Sequence, residues 1–147
     1  MIRSAALALS SLALVAACQP MTPAGPAQTT GSVNGIPLGP YYLVSLGAEA
    51  VPQRDATLVL TSAGFSGRGP CNTFSGNVQG EYPSFRVAEM TWTDLACPGS
   101  DFESRYFQAL TQATDVVWEG GVLQIRGATY MQLEPGIPGG PLSRLGR

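Results

Sequence analysis

Residues 116–134 read VVWEGGVLQIRGATYMQLE, and their alternation decides the fold class. Leu123, Ile125, Met131 and Leu133 fall on one face, while Gln124, Gln132 and Glu134 fall on the other. This period of two marks strands with one buried and one wet side. Val116–Trp118 turns at Glu119-Gly120-Gly121 into Val122–Arg126, which turns at Gly127-Ala128 into Thr129–Glu134. Two hairpins in succession make an antiparallel meander.

Working upstream, Ser100-Asp101-Phe102-Glu103 has the S-x-x-E form of a capping box, just after Pro98-Gly99. Phe102, Tyr106, Ala109, Leu110 and Ala113 then recur at helical spacing, so a single helix lays one apolar face on the sheet. In the capping-box reading, Asp101 and Glu103 stabilise the N-terminus of that helix. Earlier strands are expected at Tyr41–Leu46, Thr57–Thr61 and Phe65, the last after a turn at Ser62-Ala63-Gly64. Cys71–Val78 reads as a bulged or bent strand because of its glycine, and Ser84–Met90 as an alternating one. No parallel strand–helix–strand rhythm is visible.

The ends differ from the middle. Arg3 precedes the run AALALSSLALVAA (residues 5–17), which is too short for a membrane span of about 20 residues but suits a secretory leader. Val15-Ala16-Ala17-Cys18 resembles a bacterial lipobox. That resemblance implies a leader at 1–17 and a Cys18 that carries acyl chains, such as palmitate, as the mature N-terminus. Gln19 after it implies delivery to the outer membrane, facing the periplasm. Residues 18–38 contain four prolines, three glycines and no charge, and are expected to form a flexible tether. The folded unit is then expected over 39–135. The Pro/Gly-rich tail 136–147 is expected to be disordered.

Composition narrows the chemistry. All eight basic residues are arginine, and the chain has no histidine. Lysine Schiff bases and Walker-type phosphate loops are excluded, and the commonest general base and metal ligand are missing. The formal charge of −2 and the lack of a basic stripe argue against nucleic acid. No cofactor and no metal site is expected. With Cys18 assigned to lipid, Cys71 and Cys97 remain. In an oxidising compartment such an even pair reads as a disulfide. Two buried free thiols, or half of a zinc site, are the other readings of the same residues.

Ser66-Gly67-Arg68-Gly69-Pro70-Cys71-Asn72-Thr73-Phe74-Ser75-Gly76 and Thr93-Asp94-Leu95-Ala96-Cys97-Pro98, followed by a helix and two hairpins, resemble the META domain family, whose fold is that of HslJ-like heat-shock lipoproteins. The resemblance covers roughly Leu38–Glu134. It implies an α+β, mainly β fold, with an antiparallel barrel-like sheet and one packed helix. It also implies that Cys71 and Cys97 lie close enough to pair. The chain departs from the family pattern at Pro70, Thr73, Leu95 and Asp94, where Gly, Arg, Met and a basic residue are usual.

The candidate binding surface is Asn72, Arg68, Trp92 and Asp94. Read without the family, Asn72 caps a turn or meets a ligand, Arg68 lies on a solvated face, and Trp92 is a rim aromatic or a contact surface. Gly67, Gly69 and Gly76 are expected to serve backbone bends and not a phosphate cradle. The expected function is non-catalytic: an envelope lipoprotein whose domain binds a partner or protects against stress, attached to the membrane by its N-terminal lipid. An envelope protein is the candidate partner, as for lysozyme inhibitors or assembly pilots. A carboxylate-dependent hydrolase using Asp94, Asp101 and Glu103 is the distant alternative.

Overall fold

A computed structural model describes residues 31–98 and 100–136. The leader 1–17, Cys18, the first part of the tether and residues 137–147 lie outside the described residues. The chain order is β1 (Gly31–Val33), β2 (Ile36–Leu46), β3 (Glu49–Ala50), β4 (Thr57–Leu60), β5 (Gly64–Arg68), β6 (Thr73–Gln79), β7 (Arg86–Trp92), α1 (Ser100–Thr111), β8 (Ala113–Glu119), β9 (Val122–Gly127) and β10 (Met131–Pro135).

Every strand pair is antiparallel, in the spatial order β7-β6-β5-β4-β2-β10-β9-β8, with β1 and β3 added beside β2. The sheet curls until its ends meet. Phe85 N–H donates to Thr114 O (3.0 Å), and Val116 N–H donates to Pro83 O (2.8 Å). These two bonds tie the segment before β7 to β8, so the fold is a mainly β, α+β half-barrel with α1 packed against it.

The meander lies where the alternation puts it. Leu123, Ile125, Met131 and Leu133 are all fully buried, joined by Leu43, Leu58 and Leu60 from β2 and β4. Gly120 and Gly121, at φ of 62° and 83°, form the two-residue turn between β8 and β9, a left-handed pair that suits glycine. From the helix, Tyr106, Ala109 and Leu110 enter the core. Three buried tyrosines latch onto main-chain oxygens: Tyr41 on Pro37 (2.7 Å), Tyr82 on Thr61 (2.9 Å) and Tyr106 on Thr57 (3.1 Å). Burial makes their ionised forms costly. It pushes the Tyr41 hydroxyl up to about 12, with help from Tyr82, and Tyr82 also to about 12, and it raises Tyr106 as well.

Several boundaries differ from the sequence expectation. The folded unit starts earlier, because residues 31–38 form the β1–β2 hairpin instead of tether. Asn34-Gly35, at φ of 50° and 81°, makes its turn, and Ile36 is 4% exposed. Pro and Gly in that stretch suggested coil, but an Asn-Gly pair between short strands is a hairpin signal. Ala113 opens β8 and does not extend the helix, which ends at Thr111. The bulged strand expected at Cys71–Val78 is β6, starting at Thr73, and its irregularity falls between Asn77 and Val78, opposite β7. Gly67 and Gly76 are not bends: each lies opposite an aromatic residue, Gly67 facing Phe74 and Gly76 facing Phe65. A Cβ at either position would come within 2.7 Å or 2.5 Å of the facing ring, so glycine leaves room for the ring to lie across the strand.

Candidate functional site

Between the end of β5 and the start of β6 the chain turns sharply, Gly69 N–H donating to Asn72 O at 2.8 Å. Cys71 in this turn is disulfide-bonded to Cys97, with Cα atoms 6.2 Å apart. The bridge ties the turn to the segment that leads from β7 into α1.

Polar contacts reinforce the same junction. The Asn72 side chain acts as a surrogate strand. Its Oδ1 accepts from Leu95 N–H and Thr93 Oγ1, both at 2.8 Å, and its Nδ2 donates to Leu95 O at 3.3 Å. Beneath it, Glu103 is 3% exposed. Its carboxylate accepts from Cys71 N–H (3.1 Å) and Asn72 N–H (2.9 Å). A carboxylate taken out of water needs such donors, and the first turn of a helix adds a favourable dipole. Gly69 permits the approach, since a Cβ there would lie 2.7 Å from Glu103 Cγ. The capping-box glutamate therefore reaches across to another element, a contact that its position in the sequence did not reveal.

The remaining candidates lie around this junction without forming one constellation. Trp92 ends β7, packs against Phe107 with ring centroids 5.9 Å apart, and stays 53% exposed. Phe107 in turn lies 5.1 Å from Phe74, so a chain of rings runs from the core to the surface. Leu95, marked in the sequence only as a departure from the family pattern, is 61% exposed. Asn72, Trp92, Asp94, Leu95 and Phe107 line an open cleft of about 340 Å³ beside the disulfide. Asp94 is exposed, as is Asp101, whereas Glu103 is turned inward onto the Cys71-Asn72 turn. Arg68 lies apart at the end of β5, its Nε 3.4 Å from Asp55 O.

The META domain profile matches residues 36–135, from the first residue of β2 to the last of β10. This chain belongs to the META domain family. No curated relative matches it. Among solved structures, an NMR structure of a protein from Burkholderia xenovorans is similar at 21% identity and a TM-score of 0.56, covering 80% of this chain and 99% of that one. A second protein solved by NMR gives 16% identity and a TM-score of 0.53, over 65% of this chain and 86% of the other. A crystal structure of a DUF4847 family protein from Bacteroides vulgatus has a TM-score of 0.48 at 15% identity, over 65% and 91% of the two chains. The first two likenesses establish that this META domain shares their fold.

Proposed function

We propose that this META domain protein is a non-catalytic envelope module, held at the membrane by acyl chains on Cys18 and presenting its domain for binding or stress protection. The observation that carries the reading is the division of labour around the disulfide. Asn72 and Glu103, the polar groups best placed for chemistry, bond to the protein's own backbone, while Trp92 and Leu95 stay 53% and 61% exposed. Two large apolar side chains left in water beside a rigid polar frame support a contact surface there. The committed Glu103 carboxylate also weighs against hydrolysis by paired acids. An envelope protein, engaged as by an inhibitor or an assembly pilot, is the alternative form of this binding.

Fractionation of cells expressing the wild-type chain and Cys18→Ser tests the anchor. The wild type is expected in the membrane fraction with an acyl-modified N-terminus, and the variant is expected to leave it. Equal partition of the two overturns the anchor. Photo-crosslinking from position 92 or 95 in intact cells then tests the contact surface, with labelling concentrated there and absent from a control at position 132.

A further inference from the structure

β7 stands at one end of the strand order, so only β6 pairs with it along its length. The curl of the sheet brings β8 to the segment before β7 and no further. Ser84 bridges Asp115, Phe85 N–H donates to Thr114 O, and Val116 N–H donates to Pro83 O. From Arg86 to Trp92, among the described residues, no main-chain hydrogen bond reaches β7 from the side away from β6. The helix packs on the inner face, where Phe107 meets Trp92, and its mid-helix main-chain groups are spent on its own turns.

The strand is open to water as well. Arg86, Ala88, Glu89, Thr91 and Trp92 are exposed, and Val87 and Met90 are half-buried. An exposed edge of seven residues without proline or lysine is one that sheets usually cover or pair. Its bulge falls at Ala88, where the register with β6 shifts, and leaves Glu89–Trp92 in regular pairing. The residues on either side of Met90 complement one another. Ala88 and Trp92 lie two positions away from it, one the smallest side chain of the strand and the other the largest. Arg86 and Asp94 lie four positions away and carry opposite charges, and neither belongs to an ion pair among the described residues. Met90 and Trp92 share the inner face, opposite Gly76 and Phe74.

We propose that β7 pairs antiparallel with β7 of a second copy, about a two-fold axis at Met90, joining two half-barrels into one sheet. A two-fold contact requires a patch that complements itself. In this register Met90 meets Met90 of the other copy, and each Trp92 lies across from Ala88, where there is room for its ring. Glu89 faces Thr91 of the other copy. Each Arg86 comes to the Asp94 end of its counterpart, about 13 Å from the axis. The unpaired main-chain groups of both edges are satisfied at once. An unrelated extended peptide satisfies the same main chain but has no reason to match this order of charge and size.

The inference rests on the reading of Trp92 as a contact residue and names its occupant. The test is sedimentation equilibrium of the full chain, purified as cells make it, in density-matched detergent. A dimer is expected, with a dissociation constant on the order of 10 μM for so narrow a contact. Arg86→Glu and Asp94→Arg are each expected to weaken it about tenfold, and the double variant to regain wild-type association. The two single variants, mixed, are expected to pair with each other. Arg126→Glu, on β9, leaves association unchanged. In membranes, copies carrying Met90→Cys are expected to cross-link to one another on oxidation, and copies carrying Ala128→Cys are not. A monomer at about 300 μM, or single-variant losses that the double variant does not recover, overturns the inference. Labelling of a different protein from position 92 by a chain that stays monomeric overturns it too, and leaves the contact surface standing. A soluble protein that dimerises in this way upholds the inference and removes only the anchor.

Discussion

In β9 and β10, Leu123, Ile125, Met131 and Leu133 are completely buried, within strands held by regular main-chain ladders to β8 and β2. At the other end of the half-barrel, the Cys71-Asn72 turn is fixed by a disulfide, by a buried carboxylate and by an amide that imitates a strand. The first region is specified by pattern: any well-sized apolar residue of the right period keeps it, at some cost in packing. The second is specified by particular atoms. Asn72 has no substitute that preserves all of its bonds, because its amide both accepts and donates, and Glu103 meets two main-chain N–H groups with a charged acceptor that no neutral side chain matches. The region specified by particular atoms is also the one that leaves Trp92 in water.

This contrast can be broken from either side. The largest loss is expected from Leu133→Ala, which opens a cavity in the meander and lowers stability by about 3–4 kcal/mol, read as the urea midpoint by circular dichroism. Cys71→Ser with Cys97→Ser removes a closure across 26 residues and costs about 3 kcal/mol. Reductant should lower the midpoint of the wild type to a similar extent and leave that of the double variant unmoved. An unmoved wild type would mean that the polar contacts alone hold the junction.

Alkali probes the core between the two regions. Tyr41 and Tyr82 keep their protons in the fold up to about 12, against 10 when unfolded, so the folded chain holds more protons between those values. Their contribution is complete below pH 10 and is lost as pH rises through about 12. For the pair it amounts to roughly 2 kcal/mol, screening of the partly buried hydroxyls included. A urea midpoint that stays flat from pH 9 to 12 would remove the two tyrosines from the account.

Smaller effects are expected at the stapled end. Asn72→Ala hands the exposed Leu95 N–H and Thr93 Oγ1 to water and costs about 1 kcal/mol, with faster amide exchange confined to residues 93–97. Trp92→Ala is expected to shift stability by about 0.5 kcal/mol or less, since the ring is 53% exposed. A large destabilisation there would make Trp92 a structural residue and sink its role as a contact.

Sequence legibility follows the same division. Alternation located the meander, and helical spacing located α1, because burial of one face leaves a periodic trace. The pairing of Cys71 with Cys97 was legible from cysteine arithmetic and from the META resemblance. The Asn34-Gly35 hairpin was hidden inside a Pro/Gly-rich composition that reads as coil. Glu103 could not be read, since its partners are main-chain N–H groups 31 and 32 residues away and leave no mark in side-chain pattern. The open edge of β7 was equally invisible, because only the pairing order leaves that strand without a second neighbour.

The three-residue β1 has a mechanical consequence. Tension arriving from the residue 30 side reaches Gly31 first, at the open end of the β1–β2 hairpin, where Gly31 pairs with Leu38. Pulled in that geometry, the hairpin opens one rung at a time, at low force, like a zip. β2 remains laced to β4 and β10 throughout. Such a pull would release Gly31–Val33 before any load reached the ladders that hold β2.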